Sequence, residues 1–249
     1  DSIDVLDVHY MPPKAFAALR SAADERGRQD MGIWQTEMAN SPHAHFVSNN
    51  YPRFLYWALT NDWDYADKYK LFFFSYKSPK LSERETAVNR TLYQGDDLSP
   101  HGISLNTLGE LLKGDGLHAY TAVHATPDLS PQLVTGKSGM EVFTVGNRVV
   151  ASIHVGADID LKSMQKDGSL QLSLSFPEIQ PGQIDKIERV DIAGERLALA
   201  YDSMPGGGVN VAAPVSDKPG SNAEAWNGKS TGCRTFYVVL TLNTATQTR

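Results

Sequence analysis

The sequence predicts an α+β protein, with helices in its first part and mostly antiparallel strands in its second part. Apolar residues recur at helical spacing from Pro12 to about Leu112, whereas after about Met140 they recur at every second position. The composition agrees, because 249 residues with 41% hydrophobic and 21% charged side chains are typical of a globular protein with a substantial core. We therefore expect a helical region over 1–88 that packs on a strand-rich core over 89–249.

Four segments of the first part carry helix signals. The first helix is expected to start at the two prolines 12–13, since proline is favoured in the first turn of a helix. The second is the apolar run 54–59. A third is expected to begin at Asn61-Asp62 and to continue through Tyr69 to Phe73, and Ser104 is the expected N-cap of the last one.

The second part shows the alternation of half-buried strands. Residues 146–147 are Gly-Asn between two alternating runs, which indicates a hairpin. The clearest strand is 170–176, in which leucine and phenylalanine alternate with glutamine and serine. The nearly apolar run 235–242 is expected to be a central strand, and the Gly-, Pro- and polar-rich stretch 204–232 is expected to be a long surface excursion.

Charge and composition exclude several classes of protein. A net charge of −6 disfavours a nucleic-acid partner, and no apolar run approaches the length of a membrane span. A single cysteine, Cys233, forms no internal disulfide. Because the chain starts at Asp1 without a basic and apolar leader, we expect a processed mature form or an excised fragment.

Two later segments carry a resemblance to a known family. Tyr93-Gln94-Gly95 forms part of a short strand pattern that is followed by the last predicted helix. Further on, Glu178 precedes the turn Pro181-Gly182 and another strand. These segments resemble the first core strand and the late catalytic-glutamate segment of mono-ADP-ribosyltransferases, the toxin and effector enzymes that split NAD. The resemblance covers about 89–201.

This resemblance implies a site and an activity. Glu178 would stabilise the positive charge that develops on the ribose when NAD is cleaved, while Arg90, Tyr93 and Gln94 would bind NAD and Thr144 would position the glutamate. The implied function is an NAD-dependent ADP-ribosyltransferase or NAD-cleaving domain, with NAD as substrate and a protein as target. Since Gln94 stands where the family has arginine, a pseudoenzyme that keeps the cleft is also implied. The resemblance also implies that the protein is secreted or delivered to its target as an effector.

Three other classes stay open on the residues alone. A secreted, β-rich binding module could present Trp226 to a glycan or a protein. A carbohydrate-active enzyme would use two carboxylates and a histidine, although no spacing in the chain singles out such a set. A cysteine enzyme would use Cys233 as nucleophile with His154 or His124 as its base.

Overall fold

The protein is layered, as a computed structural model shows. The structure describes residues 5–9, 11–37, 45–61, 69–72, 77–78, 92–94, 96–134, 137–215 and 234–243. Within them, a three-stranded parallel sheet is followed by a layer of helices, a six-stranded antiparallel sheet and a second antiparallel sheet. The α+β prediction is therefore confirmed in its broad form, and most strands are antiparallel.

The first layer is built from alternating strands and helices. In chain order these are β1 (Val5–His9), α1 (Pro13–Asp24), β2 (Gly32–Glu37), α2 (His45–Thr60) and β3 (Tyr69–Leu71). β2 lies between β1 and β3, and both pairs are parallel. Parallel neighbours require a crossover connection, which the two helices provide. The helices cover one face of the sheet, where Phe16 packs edge-to-face on Phe54 beside the buried Ile33.

A short sheet leads into the third helix. Its strands are β4 (Lys77–Ser78), β5 (Tyr93–Gln94) and β6 (Asp97–Leu98), and the helix is α3 (Pro100–Leu112). Ser99 caps α3, because its hydroxyl accepts a hydrogen bond from the backbone N–H of Gly102 at 3.0 Å. The prediction of Ser104 as the cap is wrong; Ser104 is buried inside the helix and hydrogen-bonds to Ser48 on α2.

The strand-rich part is a two-layer sandwich. Its strands are β7 (His118–Ala119), β8 (His124–Thr126), β9 (Gly139–Val145), β10 (Arg148–Val155), β11 (Gln165–Lys166), β12 (Ser169–Phe176), β13 (Ile184–Asp191), β14 (Arg196–Ala198), β15 (Tyr201–Ser203), β16 (Val209–Pro214) and β17 (Arg234–Leu242). The larger sheet has the order β14-β13-β17-β10-β9-β7. The smaller has the order β11-β12-β16-β15, with β8 also paired to β12.

The core of the sandwich confirms the predicted alternation. Leu172, Leu174 and Phe176 of β12 are fully buried against the larger sheet, while Ser173 is exposed. β17 lies between β13 and β10, so the predicted central strand is confirmed. The hairpin between β9 and β10 is also confirmed, and it turns at Gly146, whose φ of +54° favours glycine.

Other expectations for the fold are corrected. Strands β1, β2 and β3 make the first part a mixed β/α region instead of a helical one. Tyr69 lies in β3 and not in a helix. Val209–Pro214 is a strand of the smaller sheet, where Val209 and Val211 are fully buried, so this part of the supposed surface excursion belongs to the core. Short strands in polar or glycine-rich surroundings carry too few residues for their period to show.

Candidate active site

Three ionisable side chains meet at the carboxyl ends of β1 and β2. The Nε2 atom of His9 lies 3.4 Å from Oδ2 of Asp7, and its Nδ1 atom lies 3.7 Å from Oε1 of Glu37. The imidazole therefore lies between two carboxylates, one from each strand. In parallel β/α sheets this edge is where ligands bind, and catalytic groups there come from the ends of different strands.

A register shift between the strands brings Glu37 to His9. Val8 pairs with Gln35, whereas the next residue, His9, pairs with Glu37, so that Thr36 is an extra residue in β2. An extra residue of this kind re-aims the side chains beside it. Without the shift, alternation would place Glu37 on the face that carries Gln35, away from the imidazole.

Buried polar groups hold the connection after β1 and the turn before β2. Gln35 is fully buried, and its Oε1 accepts a hydrogen bond from the backbone N–H of Met11 at 2.6 Å. On α1, the buried Arg20 donates to the backbone carbonyls of Met31 and Arg28 in the turn before β2. Because both turns are tied to the sheet, the carboxylates and the imidazole stand on a fixed backbone.

The two carboxylates differ in their surroundings. The Thr36 hydroxyl donates to Oδ1 of Asp7 at 2.7 Å, and this bond holds the pKa of Asp7 below its ordinary value. Slight desolvation acts to raise that pKa, and the neighbouring His9 acts to lower it. The side chain of Asp7 is 56% exposed, that of His9 48% and that of Glu37 30%. Asp7 therefore stays ionised in neutral solution, and Glu37 is the more enclosed of the two carboxylates.

Aromatic side chains lie on the same face of the sheet as Asp7. Trp34 pairs in register with both Asp7 and Lys70, and the Nζ atom of Lys70 lies 5.2 Å from the centre of the indole ring. Phe72 is 44% exposed, and its ring centre lies 6.2 Å from that of Trp34. This face, opposite α1 and α2, thus combines carboxylates with apolar rings. Among the described residues, no three His, Cys, Asp or Glu side chains are placed to hold a metal ion.

The residues predicted from the ADP-ribosyltransferase resemblance lie on different sheets. Tyr93 and Gln94 form the two-residue strand β5, and Thr144 lies in β9 of the six-stranded sheet. Glu178 is exposed in the turn after β12, and Arg90 lies outside the described residues. Their roles in NAD binding stay predictions that rest on that resemblance alone.

The alternative classes can be placed as well. Trp226 and Cys233 lie outside the described residues, so the surface around Trp226 and the cysteine nucleophile stay predictions. His154 is buried in β10, where its Nδ1 hydrogen-bonds to the hydroxyl of Thr235 at 2.8 Å. Within the part of the chain that the structure describes, no helix is both long and apolar enough to cross a bilayer.

Comparisons with known proteins identify the fold. No protein-family model and no curated protein matches the chain. A solved glucosidase from Croceicoccus marinus is similar with a TM-score of 0.52 and 12% identity, over 96% of this chain and 53% of that one. A family 39 glycoside hydrolase from Bacteroides cellulosilyticus WH2 has a TM-score of 0.49 and 11% identity, over 92% and 38%. The chain therefore spans about half the length of the glucosidase and a smaller share of the family 39 hydrolase. Its fold is similar to that of the glucosidase and is thus glycoside hydrolase-like.

This fold corrects the family assignment. The resemblance to mono-ADP-ribosyltransferases is wrong, and so are the NAD-cleaving function and the toxin or effector class that it implied, because the fold of the chain is similar to that of a solved glucosidase. The physical reason is that the motif residues lie in parts of the fold where the family's catalytic residues are not expected. Tyr93-Gln94 is a two-residue strand in a small sheet and not a core strand. Glu178 lies in the exposed turn that follows β12 of the smaller sheet of the sandwich.

Asp7, His9 and Glu37 were not predicted from the sequence. Each lies near the end of a short strand that precedes a helix, and a search for repeated strand–helix units would have drawn attention to them. The strands are five and six residues long and half-polar, so their period is weak. The carbohydrate-active alternative did name two carboxylates and a histidine, but it could not say which ones.

Proposed function

We propose that this chain is a glycoside hydrolase, with Glu37 as the carboxylate that attacks the sugar. The observation that carries the proposal is the meeting of Asp7, His9 and Glu37 at the carboxyl ends of two neighbouring parallel strands. The similarity of the fold to that of a glucosidase supports it. Glycoside hydrolysis commonly uses carboxylates in this way, since its transition state carries positive charge on the sugar ring.

Glu37 has the environment that a nucleophilic carboxylate needs. It is the more enclosed carboxylate of the cluster, and one of its oxygens faces the imidazole of His9. In the proposed step, a Glu37 oxygen forms a bond to the anomeric carbon while the bond to the leaving oxygen breaks, and that oxygen takes up a proton from solvent. Water then attacks the anomeric carbon and gives up a proton to solvent, while the bond to Glu37 breaks and the free carboxylate returns.

His9 and Asp7 act as positioning residues. The imidazole separates the two carboxylates, and in its protonated form it balances their charge. Asp7, held by Thr36, orients His9 from the other side. The exposed ring of Phe72 and the indole of Trp34 on the same face provide apolar surface on which a sugar ring can stack.

The test separates the attack by Glu37 from protonation of the leaving group. Dinitrophenyl glycosides of glucose and xylose serve as substrates, because their leaving group departs without a proton. We expect Glu37→Ala to lower kcat by at least about a thousandfold, since the variant cannot form the covalent intermediate. Azide, a small anion that can occupy the vacated space, should restore turnover and yield a glycosyl azide.

The matched control is Glu110→Ala, which removes an exposed glutamate of α3. It should leave kcat unchanged. Turnover by the Glu37→Ala protein at the wild-type rate would contradict the assignment of Glu37. No turnover of any glycoside by the wild-type chain would contradict the proposed function itself.

A further inference from the structure

A cavity lies between α2 and the edge of the six-stranded sheet. Its volume is about 300 Å³, and none of the described residues that line it belongs to β1, β2 or β3. Met140 and Val142 of β9 form its apolar floor, with exposures of 3% and 2%. The segment that contains β8 forms one side, and Tyr56 of α2 forms another. The cavity is therefore separate from the carboxylates at the strand ends.

Two tyrosines supply its aromatic walls. Tyr56 is fixed by an edge-to-face contact with Phe143, at 5.9 Å between ring centres. The backbone of Tyr120 is fixed on the sheet, because its N–H donates to the carbonyl of Val142 at 2.8 Å. The Tyr56 ring therefore offers a preformed surface, which lowers the entropic cost of binding a ligand.

Tyr120 also brings a polar atom that lacks a partner. Its hydroxyl is buried and makes no hydrogen bond within the described part of the chain. Burial, with a smaller contribution from Glu178, raises the pKa of Tyr120 to about 12, so the hydroxyl keeps its proton and can donate it. A buried hydroxyl without a partner is costly, and a ligand hydroxyl would supply the missing bond once the Tyr120 ring turns to bring its hydroxyl to the cavity.

The rim selects the charge of the ligand. Asp128 and His124 line the cavity and are both exposed, and no lysine or arginine is among the described residues that line it. With Glu178 near Tyr120, the electrostatic surroundings disfavour an anion. A carboxylate rim accepts hydrogen bonds from hydroxyl groups, while the aromatic walls suit the apolar face of a ring. These features together fit a neutral, hydroxyl-rich ring.

We infer that this cavity is a second saccharide-binding site, which takes one or two neutral sugar units through the Tyr56 and Tyr120 rings and the Asp128 carboxylate. The choice of a saccharide rests on the proposed function, whereas the cavity and its polarity do not. Such a site holds a carbohydrate chain on the protein away from Glu37. Its volume is at the small end of the range for ligand pockets, which suits a short segment of chain.

The experiment is a titration of the full chain carrying Glu37→Gln with cellobiose and with xylobiose, followed through backbone amide resonances. We expect saturable shifts at 120–130 and 140–142, separate from any shifts at 7–9 and 35–37. Tyr120→Phe and Asp128→Ala should each weaken the binding reported by 120–130 by about tenfold, because each removes one hydrogen bond to the ligand. The unliganded Tyr120→Phe protein should melt at a higher temperature, since it no longer buries an unsatisfied hydroxyl.

Matched controls remove the same groups elsewhere on the sandwich. Tyr201→Phe and Asp202→Ala alter exposed residues of β15 and should leave both the shifts and the dissociation constant unchanged. Three results would overturn the inference. The sugars produce no shifts at 120–130, the shifts survive Tyr120→Phe and Asp128→Ala together, or phosphate or choline produces larger shifts there than the sugars do. If the wild-type chain cleaves dinitrophenyl glycosides while these shifts are absent, only the second site is contradicted. If the shifts are present while the wild-type chain cleaves no glycoside, only the proposed function is contradicted.

Discussion

Replacement of Glu141 by glutamine is expected to change how the stability of this protein depends on pH. Glu141 lies in β9, is 2% exposed and faces Arg53 of α2, whose Nε atom is 3.8 Å from its Oε1. The backbone N–H of Gln132 donates to the same oxygen at 3.1 Å. Burial raises the pKa of Glu141 to about 7, and the Arg53 charge and the Gln132 hydrogen bond only partly oppose it. Arg53 also donates to the carbonyls of Val134 and Lys137, so this buried group joins α2 to the sandwich.

The sign and size of the effect follow from the two pKa values of Glu141. In the unfolded chain the carboxyl has its ordinary pKa of 4.5, whereas in the folded protein it titrates near 7. Between these values the folded state binds more protons, so the free energy of unfolding falls as the pH rises through this window. At about 1.4 kcal/mol for each unit of pKa, the loss amounts to about 3 kcal/mol once the pH exceeds the folded value. Below pH 4.5 this loss is absent, because the carboxyl is protonated in both states.

The assay is urea unfolding of the wild type and of Glu141→Gln at about pH 5 and about pH 8. We expect the difference in unfolding free energy between the two pH values to be smaller in the variant by about 2.5 kcal/mol, because a small part of the loss has already occurred at pH 5. Glu110→Gln, on the exposed surface of α3, is the control and should follow the wild type. Equal pH dependence in the wild type and in Glu141→Gln would refute the argument that burial outweighs the Arg53 charge.

Two further predictions concern the core and the candidate active site. Leu172→Ala should lower the free energy of unfolding by about 2–5 kcal/mol, because Leu172 is fully buried between the sheets. Leu197→Ala, at a half-exposed position, should lower it far less. Denaturant unfolding measures both changes, and equal losses would contradict the assigned core. Thr36→Val should raise the pKa of Asp7 toward its ordinary value by removing the hydroxyl that donates to it, which a carboxyl-carbon NMR titration would detect; an unchanged titration would show that His9 alone sets it.

The sandwich was largely predictable because its strands carry their own pattern. In 170–176 and 235–242, the side chains of one strand already show which face is buried, since successive residues of a strand point to opposite sides. The hairpin at Gly146 was equally local. The start of α1 at Pro13 was predicted for the same reason, because a proline at a helix start needs no distant contact to act.

The first part of the chain was harder because its strands are short and its order depends on long-range pairing. The pattern that predicted a helix after Asn61 extended into Tyr69, which instead pairs with Ile33 in β3. A segment of three residues is too short for its own preference to resist the hydrogen bonds of a neighbouring strand. The resemblance around Tyr93 and Glu178 misled for a related reason, since a few matching letters carry no information about which sheet each strand joins.

The sequence by itself determined the α+β composition, the buried face of β12 and the central position of β17, because each depends on the spacing of apolar residues within one segment. Only the tertiary structure decided which carboxylates meet. Asp7 and Glu37 are far apart in the sequence, and they share one imidazole because β1 and β2 are parallel and their register shifts by one residue at that edge. Burial of Glu141 beside Arg53 is likewise a property of two elements in contact, and no local pattern encodes it.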